Sequence, residues 1–295
     1  VKALRFAVIG SPVAHSMSPG MHAAAYRALG LPHVYEKIET TEAEVGARVE
    51  ALRRGEFAGL NVTVPHKIRV QAFVDEIDAR ARVAGAANTL VRGEDGRITA
   101  HNTDVPALAG ELVRLAEKQG AETFRGSTAL VLGAGGAARA AIVALASMLG
   151  VARIVVRDVT FPHHAFTAEM RGALAAIGAR VEIVAEPLVP ARSEAANLSA
   201  IVQATSCGMN GGAPGEIVAD AVGWSTVPDR VVALDVVYAP RSTPLLARAR
   251  ARGLVADNGL GMLARQGALA FERWLGVPAP FDVMRADLEA SRSLS

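Results

Sequence analysis

The run Thr128-Ala-Leu-Val-Leu132, followed by Gly133-Ala134-Gly135-Gly136-Ala137-Ala138, constrains this chain more than any other segment. A continuous apolar strand predicts burial on both faces, the habit of a parallel sheet. The glycines demand a turn, and the Ala-rich stretch to about Leu149 predicts a helix. Each small residue in Gly-x-Gly-x-x-Ala has a task. Gly133 permits the tight turn, Gly135 lets backbone approach a pyrophosphate, and Ala138 keeps the helix close to the strand. The helix N-terminus adds unpaired N–H groups and the positive end of a dipole. Strand, turn and helix together read as a Rossmann dinucleotide site; the alternative is a purely structural glycine turn.

The rest of the chain fits around that unit. With 295 residues there is room for two domains. Arg153 to Val156, Val181 to Val184, Ala200 to Gln203 and Val231 to Val236 supply further apolar strands alternating with helices, the pattern of a doubly wound parallel sheet. Ala191 to Asn197 and Asn210 to Val218 read as loops. Upstream, Leu4 to Ile9 is a strand, Gly10 to Pro19 a loop and Gly20 to Leu29 a helix. Val34 to Ile38 is a strand, Thr41 to Arg54 a helix, and Gly59 to Val64 a strand ended by Pro65. Gly85 to Arg92 and Arg97 to Asn102 form a strand pair around Gly93-Glu-Asp-Gly96. This predicts a second α/β unit up to about residue 104, with Val105 to Glu122 a linking helix.

Composition excludes several classes. The 31 basic and 29 acidic residues are interleaved without a basic block, so nucleic acid is not an expected partner. No apolar run reaches the roughly 18 residues a membrane helix needs. The start, Val-Lys-Ala-Leu-Arg-Phe-Ala-Val-Ile-Gly, reads as a strand entering a turn rather than a signal peptide. Cys207 is the only cysteine, which points to a reducing compartment. The expectation is a cytoplasmic protein without a metal centre.

Polar residues at strand ends carry the candidate chemistry. Only Lys2, Lys37, Lys67 and Lys118 are lysine. Lys67 closes Gly59-Leu-Asn61-Val-Thr63-Val-Pro-His-Lys67, and a lysine, unlike an arginine, can shed its proton near neutral pH when its surroundings push it. It is a candidate acid/base group or a solvated surface lysine. Ser16 and Ser18 are two apart and, in an extended segment, face one way to meet a carboxylate or polyol; helix capping is the alternative for Ser18. Asn88 and Asp104 end apolar stretches, as site or turn residues. Asp158, at the end of the strand after the glycine turn, suits ribose hydroxyls and repels a 2′-phosphate, favouring NAD over NADP. A capping role for Asp158 or Thr160 competes, and Arg157 beside it is a candidate phosphate partner.

These motifs resemble the shikimate dehydrogenases, including the quinate/shikimate dehydrogenases. The likeness is carried by Ser11-Pro with His15-Ser-x-Ser-Pro19, Asn61-Val-Thr-Val-Pro-x-Lys67, Gly85-Ala-x-Asn-Thr89 and Asn102-Thr-Asp104. It continues through Gly133-Ala-Gly-Gly-Ala137, Ala204-Thr-Ser-x-Gly-Met209, Asp235-Val-Val-Tyr238, Thr243-Pro-Leu-Leu246, Asp257-x-Gly-Leu-Gly-Met-Leu263 and Gln266-Gly-Ala268. The resemblance implies a discontinuous α/β substrate domain, residues 1–104 with 262–295, a Rossmann NAD(P) domain, residues 105–261, and an active site in the cleft between them. It implies Lys67 and Asp104 as the catalytic pair. Ser16, Ser18, Asn61, Thr63, Asn88, Tyr238 and Gln266 then bind a hydroxylated cyclohexene carboxylate. Gly133, Ala134, Gly135, Gly136, Ala137, Arg157, Asp158, Thr205, Val236, Gly259 and Met262 line the cofactor.

The implied activity is reversible hydride transfer between NAD(P) and shikimate, a step of the chorismate pathway to aromatic amino acids, in a monomer or homodimer. Some features pull elsewhere. Asp158-Val159-Thr160 stands where NADP-dependent members show Asn-Arg-Thr, and His101 and Val105 resemble the NAD-using quinate/shikimate branch. Ser18 is the usual residue of shikimate enzymes, whereas quinate users carry Thr or Gly there. Gln203 replaces the usual Asn. Quinate or an aminated shikimate is the alternative substrate, and a non-catalytic ligand-binding paralogue the alternative class.

Overall fold

Phe6-Ala7-Val8-Ile9 forms the middle of β1 (Arg5–Gly10) and is buried, as a parallel strand covered on both faces must be. The computed structural model describes residues 2–120, 123–159 and 164–291. Two compact units divide the chain: Val1–Asp104 with Leu263–Ser295, and Val105–Met262.

In the first unit β1 is followed by α1 (Ser18–Ala28), β2 (Val34–Glu39), α2 (Val45–Arg53) and β3 (Gly59–Val62). β4 (Glu76–Ile77), α3 (Ala79–Ala84), β5 (Thr89–Arg92) and β6 (Ile98–His101) complete the sheet, and α4 (Asp104–Gln119) leaves it. The strand order is β2-β1-β3-β5-β6-β4. β1 pairs in parallel with β2 and β3, whereas β5 runs antiparallel to β3 and β6, so the sheet is mixed. Ala7, Ile9, Leu60 and Val62 meet Val45, Val49 and Leu52 of α2 in one core layer.

Several boundaries differ from the sequence expectation for local reasons. The helix predicted over Thr41 to Arg54 opens as a 3-10 turn, Glu42–Glu44, because the Glu44 carboxylate accepts from the Thr41 N–H and hydroxyl. The strand predicted from Gly85 starts only at Thr89. Gly85 ends α3 in the left-handed conformation, φ 58°, which glycine adopts without a Cβ penalty. Asp78 caps α3 through the Ala81 N–H, 2.7 Å. Both β4 and α3 went unrecognised, since neither is long enough to show a period.

The second unit contains β7 (Thr128–Leu132), α5 (Gly136–Val143), β8 (Arg153–Asp158), α6 (His164–Ala176), β9 (Glu182–Pro187) and β10 (Leu198–Gln203). It continues with α7 (Glu216–Asp220), β11 (Val232–Asp235), α8 (Pro244–Ala251) and β12 (Ala256–Asn258), after which α9 (Leu260–Leu275) and α10 (Phe281–Ala290) close the chain. All six strands are parallel, in the order β12-β11-β10-β7-β8-β9. The winding direction reverses between β7 and β10, which makes this a Rossmann sheet with its switch point at the ends of those strands. The helix expected to reach Leu149 passes into a π turn at Ala144–Met148, and α7 begins inside the expected loop Asn210 to Val218. The end of the helix predicted to Glu122 and the competing cap Thr160 lie outside the described residues.

Asp235 ends β11 with no exposed surface. Its carboxylate accepts from the Thr243 hydroxyl, 2.6 Å, and the Val237 N–H, 2.9 Å, and so ties the chain after β11 to the start of α8. Burial pushes its pKa up to about 6, only partly offset by those two bonds. Because the folded protein binds this proton more tightly than the unfolded chain does, the contribution to stability is largest below pH ~4. It is lost as the pH rises to about 6, a swing of about 3 kcal/mol for a shift of two pKa units. Asp235→Asn keeps the size and cannot titrate. Urea unfolding at intervals between pH 4 and 7.5 is expected to show a wild-type-minus-variant stability difference that falls across pH 4 to 6. A flat difference curve would remove Asp235 as the titrating group.

Candidate active site

The first unit gathers Ser16, Ser18, Asn61, Thr63, Lys67, Asn88, Asp104 and Gln266. Their positions follow from backbone pairing. β3 lies between β1 and β5, and Asn61 faces Thr89 in register. The chain turns after β3, and the Ala87 N–H donates to the Lys67 carbonyl, 2.7 Å, which brings Lys67 beside Asn88. Lys67 therefore stands in the turn after the strand rather than at its end. The Asn88 N–H donates to the His101 carbonyl, 3.0 Å, so Asn88 also lies next to the segment leading to Asp104.

Lys67 Nζ donates to Asp104 Oδ2 at 2.6 Å. The lysine side chain keeps 15% of its surface exposed and the aspartate 3%. A cation reachable from outside is thus backed by a buried carboxylate. The Asn88 carboxamide fixes the other carboxylate oxygen: Nδ2 donates to Asp104 Oδ1 and Thr103 Oγ1, both 2.9 Å, and lies 3.3 Å from Gln266 Oε1. Its Oδ1 accepts from the Thr103 N–H, 2.8 Å. A backbone N–H can only donate, so this bond decides which end of the amide faces Asp104.

Asn61 is oriented by the same logic. Its Nδ2 donates to the Asn88 carbonyl, 2.9 Å, and to Thr89 Oγ1, 3.0 Å, while its Oδ1 accepts from the Tyr35 hydroxyl, 2.7 Å. Both amide hydrogens of Asn61 are thereby used inside the protein. Ser18 is buried, and its N–H donates to Ser16 Oγ, 3.3 Å. The loop bearing these serines is pinned by Glu39, which accepts from the Ser11 hydroxyl and the Val13 N–H, both holding its carboxyl below the usual range. Gln266, on α9, donates to the Leu263 carbonyl, 3.0 Å. Tyr35, Thr89 and Thr103 are network members that sequence reasoning missed. Thr89 and Thr103 stand inside quoted motifs, but Tyr35 sits in an ordinary strand pattern and offered only an aromatic ring with a polar handle.

The cofactor candidates occupy the second unit. Gly133 adopts φ +112°, and a Cβ there would lie 2.8 Å from the Thr205 methyl and 3.2 Å from Ala204 backbone, so no side chain fits. Its N–H donates to the Arg157 carbonyl, 2.7 Å. Gly135 faces open space, and the first N–H groups of α5, from Gly136 onward, have no helical acceptor. Ala134 and Ala137 stand beside them, neither fully buried. Asp158, Thr205 and Val236 follow at the carboxyl ends of β8, β10 and β11. Thr205 is held by the buried Gln203, whose Oε1 accepts from the Thr205 N–H and whose Nε2 donates to the Cys207 carbonyl, 3.0 Å. Gly259 meets Val236 backbone so closely that a Cβ would overlap it, and Met262 is buried. Tyr238 follows β11 in this unit, half-buried.

Arg157 is committed elsewhere. Its side chain is 7% exposed, Nε donates to Glu186 at 2.8 Å, and the two terminal nitrogens donate to both oxygens of Glu194 at 2.6 and 3.1 Å. With the Ala221 carbonyl also accepting, 2.7 Å, the guanidinium is in use as an internal clamp rather than offered to a phosphate. Among the described residues no group of three or more His, Cys, Asp or Glu side chains is placed to hold a metal ion, and no helix is long and apolar enough to cross a membrane.

Comparison with known proteins identifies the family of the chain. The shikimate dehydrogenase substrate binding domain profile matches residues 8–90, and that of the shikimate 5'-dehydrogenase C-terminal domain matches residues 259–289. A shikimate dehydrogenase (NADP(+)) from Methylobacterium radiotolerans is 43% identical over 274 residues, covering 92% of this chain and 91% of that protein. The crystal structure of shikimate 5-dehydrogenase from Thermus thermophilus, in complex with NADP(H) and shikimate, superposes with a TM-score of 0.75 at 36% identity, covering 98% of this chain and 99% of the other. Quinate dehydrogenase from Corynebacterium glutamicum in complex with NAD gives 0.82 at 27% identity, covering 98% and 99%. On this likeness over nearly its whole length, the chain belongs to the shikimate dehydrogenase family.

Proposed function

We propose that this protein interconverts shikimate and 3-dehydroshikimate, with Lys67 and Asp104 as the catalytic pair and NAD as the favoured cofactor. The observation that carries the reading is the partly exposed Lys67 amino group held 2.6 Å from the buried Asp104 carboxyl group. The glycine turn without room for a Cβ, the open space over Gly135 and the free N–H groups of α5 fit a pyrophosphate, so Gly133 to Ala137 would hold a nicotinamide dinucleotide. When bound, the nicotinamide supplies the hydride acceptor for an alcohol or the hydride donor for a ketone.

The chain's own residues handle the proton and the orientation. In oxidation Lys67, as the free amine, takes the proton of the reacting ring hydroxyl; in reduction its protonated form returns one to the ketone oxygen. Asp104 keeps the lysine aimed. Asn88 and Gln266 hold neighbouring ring hydroxyls, Ser16 and Ser18 take the carboxylate, and Thr63 completes the first unit's set; Tyr238, in the second unit, is a further candidate contact. Asn61, its donors already engaged, contributes its remaining Oδ1 lone pair and the bracing of Asn88.

Three features support NAD. Asp158 ends β8, where it suits ribose hydroxyls. Val159, 69% exposed, stands at the position of the family's phosphate-binding arginine. Arg157 is already paired with two carboxylates. NADP is the second reading, favoured by the Methylobacterium relative named for that cofactor. Quinate is the second substrate, favoured by the likeness to the quinate dehydrogenase.

Initial rates of reduced-nucleotide formation, with shikimate and quinate each paired with NAD and NADP, test the proposal directly. Shikimate with NAD should lead. A lead for quinate, or for NADP, would overturn the substrate or the cofactor assignment respectively, and no rate with any pair would mark a binding paralogue. Lys67→Ala should lower kcat by about 10³-fold with a much smaller change in shikimate affinity; unchanged turnover would remove Lys67 from the mechanism. Asp158→Asn with Val159→Arg should raise kcat/KM for NADP relative to NAD by about tenfold or more, one good charge-assisted contact being worth over ~1 kcal/mol. An unaltered ratio would place cofactor choice elsewhere.

A further inference from the structure

Tyr35 belongs to none of the motifs that mark the site, yet its hydroxyl meets one of the side chains assigned to substrate. It lies on β2, in register with Phe6 of β1, while Asn61 on β3 is in register with Val8. The side chain therefore crosses β1 to reach Asn61. Its phenol hydrogen has an unambiguous destination. Asn61 Nδ2 must face the Asn88 carbonyl, which only accepts, so Oδ1 is left toward Tyr35 and receives the hydroxyl hydrogen at 2.7 Å.

The ring is held as firmly as the hydroxyl. It stacks on His22 with centroids 4.3 Å apart and planes 4° from parallel. His22 has no exposed surface and neither ring nitrogen has a partner; burial pushes its pKa down to about 3, so it serves as a neutral apolar plate. Tyr26, Phe271 and Trp274 surround that plate.

We propose that Tyr35 is a positioning residue for substrate binding: one buried hydroxyl fixes the Asn61 amide before the substrate arrives. The inference rests on the reading of this site as a pocket for a hydroxylated ring carboxylate. Preorganised contacts bind better because less side-chain freedom is lost on binding. The Lys67–Asp104 pair does not depend on Tyr35, since Thr103 orients Asn88 independently. Loss of the hydroxyl should therefore weaken substrate binding and leave the chemical step in place.

Tyr35→Phe keeps the ring stacked on His22 and removes only the hydroxyl. At saturating cofactor, KM for shikimate should rise about tenfold while kcat stays within about twofold. Asn61→Ala should raise KM at least as much, and adding Tyr35→Phe to it should change KM little, because the phenol then has no amide to fix. An unchanged KM in Tyr35→Phe with only a lower Tm would reduce the residue to a structural role and overturn the proposal. A lowered KM would overturn it as well, since the phenol would then oppose binding rather than prepare it. Should Tyr35→Phe not fold, an unchanged KM in Asn61→Ala is equally decisive against it. Wild-type protein that fails to turn over shikimate sinks the underlying reading, whereas normal wild-type turnover with insensitive variants sinks only this inference.

Discussion

The bond from the Thr103 N–H to Asn88 Oδ1 is the constraint on which the rest of the first unit's polar network depends. An amide side chain can be reversed about its last torsion at little cost in shape, and its two ends then exchange donor for acceptor. The Thr103 N–H forbids that reversal, because an Nδ2 in its place would face a donor. With Oδ1 so placed, Nδ2 faces Asp104 Oδ1, which leaves Oδ2 for Lys67. The Asn88 backbone carbonyl meanwhile fixes Asn61, and Asn61 receives Tyr35. A rigid backbone donor and a rigid backbone acceptor thus set the polarity of the side chains around them. In such buried surroundings a mismatched donor costs about 1–3 kcal/mol.

What could be read from the sequence divides along the same physical line. Thr128–Leu132 was legible to the residue, because a strand buried on both faces leaves an unbroken apolar run ended by glycine. The first strand and the hairpin around Gly93 to Gly96 were legible within a residue or a few, since turn glycines punctuate them. The two-residue β4 and six-residue α3 were not, as neither spans enough positions to display a period. The members of the candidate site were legible as polar residues at strand ends and through family likeness. Tyr35 was not, because its role arises from reaching across β1, and nothing in Val-Tyr-Glu-Lys-Ile-Glu encodes which strand lies two places away. The partners of Arg157 were hidden for the same reason: its carboxylates come from β9 and the loop beyond it, 29 and 37 residues downstream.

A chain with only 4% aromatic residues places its few large rings selectively. Two of its three tyrosines and one of its two tryptophans meet Phe6, Phe271 and His22 on one side of the first sheet. Gly59 makes room for this: a Cβ there would overlap the Trp274 indole, whose Nε1 reaches past the strand to the Leu90 carbonyl, 3.0 Å. Rings have few torsions, so a cluster of them forms a stiff floor at low entropic cost. Elsewhere the core is built from Ala, Val and Leu, which fill space without fixing the direction of a polar group.

Charge in the second unit follows a different logic. The Arg157 guanidinium is buried, and removing it from water opposes its ionised state; Glu194 and Glu186 reverse that balance and hold its pKa above the ordinary value. Such a buried pair adds little net stability over an apolar filling, yet breaking it strands a charge and costs about 3–5 kcal/mol. Its consequence is therefore specific rather than energetic. Glu194 also accepts from the Gly223 N–H, 2.8 Å, so the clamp draws together the end of β8, the loop after β9 and the turn after α7.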